Sequence, residues 1–155
     1  MKLAEVESAL LTLLRTASGL TYVQTIEPVS DRTFDLARGN FVVVPPAVLS
    51  FFFSSRLAAR DLAARTYDYA PRFLLFAVAR NLRGAEEEKL GGPGTEFGAY
   101  RLLHDLKTTL AGARLALSSG GVQPVVELAA EQLESFTADF SAYSLEVAIH
   151  GDFHV

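Results

Sequence analysis

The chain has 155 residues, a length typical of one domain whose hydrophobic core needs no covalent staples. It contains no cysteine, which excludes disulfides, thiolate zinc sites and cysteine nucleophiles. The net charge of −4 argues against nucleic-acid binding as the main task. Hydrophobic residues make up 50% of the chain, and burial between subunits is one way to satisfy so apolar a composition.

An amphipathic helix is predicted at the start of the chain. Apolar residues recur at spacings of three and four from Val6 to Ala17, and Gly19 is a suitable stop signal. A short strand is predicted at Thr21–Ile26, because β-branched and aromatic residues are concentrated there. The chain therefore begins with a helix followed by a strand.

The segment from Gly39 to Ser55 carries no charge. Pro45 and Pro46, near its centre, exclude a membrane-spanning helix, because lipid offers no replacement for the amide donors that prolines lack. Two buried strands joined by the prolines are predicted instead, at Phe41–Val44 and Ala47–Ser55.

Three consecutive phenylalanines lie in the second of these strands. Successive side chains of a strand point to opposite faces, so Phe52 projects away from Phe51 and Phe53. Both faces of the strand then need cover, either from the core of the protomer or from a neighbouring subunit. The sequence leaves these two alternatives open.

Two more strands are predicted before the middle of the chain, at Thr66–Tyr69 and Phe73–Val78. The second is apolar on both faces, so both are expected to be covered. Between the phenylalanines and these strands, Leu57–Ala64 is ambiguous: its pattern fits either a helical turn or a long connection.

The second half of the chain begins with a glycine-rich loop, at about 83–98, which is predicted to be flexible. A second amphipathic helix follows at about 97–113, and strands are predicted at Val122–Ala129 and Ser141–His150. The fold class is therefore α+β: a mixed or mainly antiparallel sheet with two principal helices packed on it, in the order α-β-β-β-β-α-β-β. Residues 1–155 form a single domain.

Charge is distributed unevenly along the chain. The region from Arg56 to Arg83 is mainly basic, whereas no lysine or arginine follows Arg114. These regions either complement each other between neighbouring copies or are simply solvated faces. The candidates for a subunit interface are two of the three phenylalanines, two arginines of the basic region and three glutamates of the glycine-rich loop: Phe51, Phe53, Arg56, Arg60, Glu86, Glu87 and Glu88.

Few residues suggest chemistry. His104 is followed by Asp105 on a predicted helix, where neighbours point about 100° apart and so do not form a catalytic pair. His150 and His154 resemble at most a weak adventitious metal site. Residues 91–94 are glycine-rich but lack the G-K-[ST] ending of a phosphate loop. We therefore predict no catalytic, cofactor or metal site and no enzyme, with a small metal-binding or hydrolytic module as the weakest alternative.

The order of elements resembles a known family. The stretches that carry the resemblance are residues 6–14, 46–49, 72–79, 98–106 with 110–112, and 143–147. With these, the chain is similar to the Mu-like phage family of small tail proteins, which resembles the tail-terminator (tail-completion) proteins of long-tailed phages. The resemblance covers most of the chain and brings no catalytic residues with it.

The resemblance implies a structural role in the virion. It implies a ring, typically a hexamer, at the head-proximal end of the tail tube, which ends tube polymerisation and joins the tail to the head–neck. Its partners would be other copies of itself, the tail tube protein and head–neck connector proteins, with no membrane and no specific nucleic-acid binding. Assembly would take place in the bacterial host cytoplasm.

Two points remain open within this resemblance. DNA would pass through the ring, and acidic residues of the C-terminal region are candidates for lining that passage, where like charge prevents DNA from adhering: Glu127, Glu131, Glu134 and Asp139. A neck adaptor or a tail-assembly chaperone is an alternative that the sequence does not separate from a terminator.

Overall fold

A computed structural model describes residues 1–80, 98–137 and 139–154, and only the backbone of Phe136 and His154. The described elements are helix α1 (Leu3–Thr16), a 3-10 turn (Ser18–Leu20), strands β1 (Thr25–Pro28), β2 (Phe34–Asp35), β3 (Asn40–Phe41), β4 (Ala47–Asp61) and β5 (Thr66–Arg80), helix α2 (Ala99–Leu110), and strands β6 (Val125–Phe136) and β7 (Phe140–His154). The loop predicted at about 83–98 lies outside the described residues, except for Gly98 at the start of α2.

Five strands form the main sheet, in the order β1-β4-β5-β7-β6. β1 lies parallel to β4, and the other neighbours are antiparallel. β2 and β3 form a small separate hairpin. The predicted α+β class, with a mixed sheet and two helices, is confirmed. The structure has one short strand more than the predicted order.

Both helices pack on one face of the main sheet, which we call the helix face. The spacing of three and four in α1 places Val6, Leu10 and Leu14 on one side of the helix, where all are fully buried. α2 buries a similar stripe that includes Leu102 and Leu106. Alternate residues of β5 pack against these helix residues in the same core cluster: Phe73, Leu75 and Ala77.

The hairpin of β2 and β3 covers one end of the opposite face. The Phe41 ring lies 5.3 Å from that of Phe76 and 6.2 Å from that of Phe140. These rings join a second core cluster around Ala47 and Val78. The strand predicted at Phe41–Val44 is therefore wrong beyond Phe41, and the side chains of Val42 and Val44 are exposed.

The longest departure from prediction is a hairpin of two 15-residue strands. Leu57–Ala64 is neither a helix nor a long connection, because β4 continues to Asp61, which is paired with Thr66. The turn at 62–65 is closed by the Asp61 carboxylate, which accepts the N–H groups of Ala63 and Ala64 at 2.9 and 3.0 Å. The two strands predicted within 66–78 are the single strand β5.

One hydrogen bond joins the turn after α1 to α2. The Tyr22 hydroxyl donates to the Asp105 carboxylate at 2.8 Å, and the Arg101 guanidinium lies 3.6 Å from the same carboxylate. Burial, and then the bond to Asp105, raise the pKa of Tyr22 above the ordinary value of a tyrosine. The hydroxyl therefore stays protonated and remains a donor at neutral pH.

We expect Tyr22→Phe to lower the free energy of unfolding by about 1–2 kcal/mol, because a half-buried carboxylate loses its donor. The loss should be largest below about pH 10, since a raised folded pKa stabilises only the protonated tyrosine and this contribution fades as the pH rises. Urea denaturation at several pH values measures it. Tyr67→Phe is the matched control, because the Tyr67 hydroxyl has no hydrogen bond to the described residues. Equal losses in the two variants would contradict the assignment.

Candidate assembly surface

The face of the main sheet opposite the helices is called the open face. Residues directly opposite each other on paired strands project to the same face. The register places one row across it that is formed by Phe51, Leu74, Glu146 and Ala130. No described helix covers this row, and the hairpin of β2 and β3 reaches only the end of the face near Phe76.

The three phenylalanines divide between the two faces, as predicted. The Phe52 ring packs at 5.7 Å from that of Phe73, against the core beneath the helices. Phe51 and Phe53 lie on the open face and remain 45% and 39% exposed. Only Phe52 therefore belongs to the protomer's own core, and two large rings are left facing outward on one strand.

An ion pair lies in the middle of the open face. The guanidinium of Arg72 is bonded to the carboxylate of Glu146 across the β5–β7 pair. The same guanidinium lies over the Phe53 ring, 5.4 Å from its centre, so the cation also contacts the π face. Arg72 thus positions the Phe53 ring, and Glu146 balances the charge of Arg72. This part of the open face therefore combines exposed aromatic rings with a neutralised charge.

Beyond Phe53 the paired strands β4 and β5 form an arm, residues 54–71. Arg56 lies on its open face and has no ion pair with a described residue. Arg60 is bonded to the Asp152 carboxylate of β7 at 3.3 Å. β1 pairs with β4 only as far as Ser50, so no described strand lies along the outer edge of β4 from Phe51 to Asp61.

The other edge of the main sheet is acidic. The chain at 112–115 lies along the start of β6 and hydrogen-bonds to it as far as Val126. From Glu127 to Phe136 the outer side of β6 has no partner strand in the described part of the chain. This edge carries Glu127, Glu131 and Glu134.

The acidic residues proposed to line a DNA passage do not share one surface. Glu131 projects to the helix face, where Lys107 of α2 lies 2.8 Å from its carboxylate. Glu127 pairs with His150, and Glu134 accepts a hydrogen bond from Ser144, both on the open face. Asp139 is exposed in the turn between β6 and β7. A passage could be lined by only part of this set.

The side chains of His104 and His150, the two that the structure describes, lie on different elements. His104 is exposed on α2, while the neighbouring carboxylate of Asp105 is bonded to Tyr22 instead. His150 is exposed beside Glu127, and the side chain of His154 lies outside the described residues. Within the described ranges, no group of three or more histidine and acidic side chains could hold a metal ion. In the same part of the chain, no helix is long and apolar enough to cross a membrane.

The predicted interface candidates are partly brought together. Phe51, Phe53, Arg56 and Arg60 lie along one strand, β4, whereas the candidates at 86–88 are outside the described residues. Sequence reasoning missed Leu74, Arg72 and Glu146, which complete the open face around the phenylalanines. The apolar residues on both faces of β5 were the available signal, because the helices that the structure describes cover only one of those faces.

We expect Phe51→Ala to change the free energy of unfolding by less than about 1 kcal/mol, because the ring is exposed in the protomer. Phe73→Ala, at a fully buried position of the helix face, should lower it by about 3–5 kcal/mol. Chemical denaturation of the dissociated protomer measures both. Similar losses in the two variants would mean that Phe51 belongs to the core.

Comparison with known proteins agrees with this architecture. The model of the family described as Bacteriophage Mu, Gp37 matches residues 2–150. A solved chain described as "Virion of native gene transfer agent (GTA) particle" shares the fold, with a TM-score of 0.61 and 14% identity, over 96% of this chain and 95% of that chain. No curated protein matches the sequence. Because the family match spans nearly the whole chain, this protein belongs to the Bacteriophage Mu Gp37 family, and its resemblance to a Mu-like phage protein is confirmed.

Proposed function

We propose that this chain is a structural virion protein that forms a ring on the end of a phage tail tube. The ring would end polymerisation of the tube and join the tail to the head–neck, with no catalytic step. The observation that carries the proposal is the family match over residues 2–150. It is supported by the shared fold, over nearly the full length of both chains, with a protein described as part of a virion particle.

The open face supports assembly over catalysis. Phe51 and Phe53 are partly exposed beside a charge that is already balanced, and apolar surface of this kind marks sites of protein contact. Within the described residues, β4 and β6 also have edges without a partner strand; such edges promote aggregation of single protomers, and a ring would bury them. Copies of this chain, the tail tube protein and head–neck connector proteins are the partners we propose.

Where the protein acts follows from this role. We place it at the head-proximal end of the virion tail, after assembly in the bacterial cytoplasm. Asp139, exposed in the turn between β6 and β7, is the acidic residue that we propose for a DNA passage, since Glu131 is bonded to Lys107 on the helix face and Glu127 and Glu134 are bonded to His150 and Ser144 on the open face. Its negative charge would repel the DNA backbone and leave the passage free of tight binding.

The mass of the purified protein, alone and mixed with the tail tube protein of the same gene cluster, tests the proposal. We expect a closed multimer, most simply a hexamer. Electron microscopy of tubes assembled with labelled protein should show the label at one end only and shorter tubes than without it. A strict monomer in both settings would overturn the proposed ring. Label along the whole tube, or on unassembled tube protein only, would indicate an assembly chaperone.

We expect the double variant Phe51→Ser, Phe53→Ser to abolish the multimer while retaining the fold, because it removes apolar contact area that the protomer does not need. Light scattering measures the mass and circular dichroism the fold. Leu36→Ser is the matched control, since it removes an exposed apolar side chain from the turn between β2 and β3. Loss of the multimer in the control as well would assign the contact to a different surface.

A further inference from the structure

Strands β4 and β6 of the main sheet each have a stretch of backbone that no described strand pairs with. The free edge of β4 runs from Phe51 to Asp61 and, at about 3.3 Å a residue, is about 35 Å long. The free edge of β6 runs from Glu127 to Phe136. Within the described residues, no strand covers either edge. Edges of this length pair with another chain unless something blocks them.

The two edges are complementary in direction. β4 is antiparallel to β5, β5 to β7, and β7 to β6, so β4 and β6 themselves run in opposite directions. When a second copy is placed beside the first in the same orientation, its β6 therefore approaches β4 as an antiparallel partner. No rearrangement of either strand is needed to continue the ladder of hydrogen bonds.

The two edges are also complementary in charge. Arg56 and Arg60 lie on the β4 edge, and Glu127 and Glu134 lie on the same face of the β6 edge. Arg56 has no ion pair with a described residue, so its charge is free to meet a carboxylate of another copy. Apart from Asp61, whose carboxylate accepts two N–H groups of the turn at 62–65, the charges of the β4 edge are opposite to those of the β6 edge, and opposite charges steer two edges together.

We propose that the free edge of β4 in one copy pairs antiparallel with the free edge of β6 in the next copy. The contact is head to tail, because it joins two different edges, and repeated contacts of this kind close into a ring when the rotation between copies allows it. This inference rests on the ring proposed above and specifies its seam: a continuous sheet with Arg56 of one copy against the acidic β6 edge of the next.

The seam requires a stagger, which is a displacement of one copy along the strand direction relative to the next. The strand register gives the size of this displacement in rows of paired residues. Ser54, Arg72, Ala148 and Glu127 form one row across the sheet, so copies aligned row to row would overlap only over residues 51–54 and 127–130. Four strands about 4.8 Å apart make each copy about 19 Å wide. Strands of closed sheets tilt by about 35–45° from the axis of the closed sheet. Over the width of one copy, this tilt displaces neighbouring copies along the strand direction by about 13–19 Å, or about four to six residues. When the β6 edge of one copy is displaced by this distance toward the arm of the next copy, most of it lies alongside the free edge of β4.

Disulfide cross-linking between single-cysteine variants tests the seam, because the chain has no cysteine of its own. Ala58→Cys on β4 is mixed in turn with Glu127→Cys, Ala130→Cys and Gln132→Cys on β6. Each row across the sheet is identified by its β5 residue: Asp68 for Ala58, Arg72 for Glu127, Leu74 for Ala130 and Phe76 for Gln132. The three pairs therefore correspond to staggers of four, six and eight rows. We expect cross-linked dimers at four or six rows, since paired strands bring Cα atoms within disulfide range.

Glu131→Cys is the matched control, because Glu131 neighbours Ala130 on β6 but projects to the helix face. Cross-linking in mixtures at one of the three positions, with little in the control and none in either variant alone, would support the seam. Dimers of Ala58→Cys alone would overturn the head-to-tail contact. A multimer that forms without any cross-link would overturn edge pairing and leave the proposed ring standing, whereas a strict monomer would overturn the ring itself.

Charge reversal provides a second measurement. We expect Arg56→Glu to weaken association about tenfold at low salt and to make it less sensitive to sodium chloride, because an attraction across the seam becomes a repulsion. Arg38→Glu makes the same change of charge in the turn between β2 and β3, which pairs with neither edge. Equal weakening in the two variants, measured by analytical ultracentrifugation, would contradict a role for Arg56 in the seam.

Discussion

The structure depends on one constraint: the central strand β5 is apolar on both faces from Phe73 to Val78, and the helices of the described residues cover only one of these faces. Phe73, Leu75 and Ala77 are fully buried beneath α1 and α2. On the other face the hairpin of β2 and β3 reaches Phe76 and Val78 and ends there. The rest of that face, which includes the partly exposed Phe51 and Phe53, is not covered by the described residues. A protein that completes its burial only in an assembly has this pattern.

The exposed rings and the unpaired edges are parts of the same arrangement. β4 is long because its pairing with β5 continues beyond the core into the arm, while β1 stops at Ser50. The same strand therefore supplies an apolar face, a free backbone edge and the charges of Arg56 and Arg60. Arg72 joins these features, since it contacts the Phe53 ring and balances Glu146 on β7. Assembly along β4 would satisfy apolar surface, backbone and charge together.

Family membership and fold narrow the function without identifying a reaction. The described histidines lie apart from one another, and Asp105 is occupied by Tyr22 and Arg101. The polar side chains of the open face are bonded mainly to one another, as in the pairs Arg72–Glu146 and Ser144–Glu134. Such pairs neutralise a surface that another protein can cover, because few charges are then buried without a partner.

Helices and strands with strong periodicity could be predicted from the sequence. α1, α2 and the alternation of β7 follow from spacings of three to four and of two, and so does the division of Phe52 from Phe51 and Phe53. For Leu57–Ala64 neither predicted alternative, a helical turn or a long connection, is right, because its alanines and arginines have no strong preference for a strand. Their conformation is imposed by pairing with β5, so propensity alone could not reveal it.

What the sequence by itself determined is the class of fold, the two helix stripes and the apolar segments that must be covered. Hydrophobic periodicity is local, so it can be read along the chain without knowing the partners of each strand. Only the tertiary structure decided which face and which strand edges are left without cover by the described residues. That outcome depends on the strand order β1-β4-β5-β7-β6, which joins segments far apart in sequence. It places the basic half of β4 and the acidic β6 on opposite sides of one sheet, and no single segment carries that information.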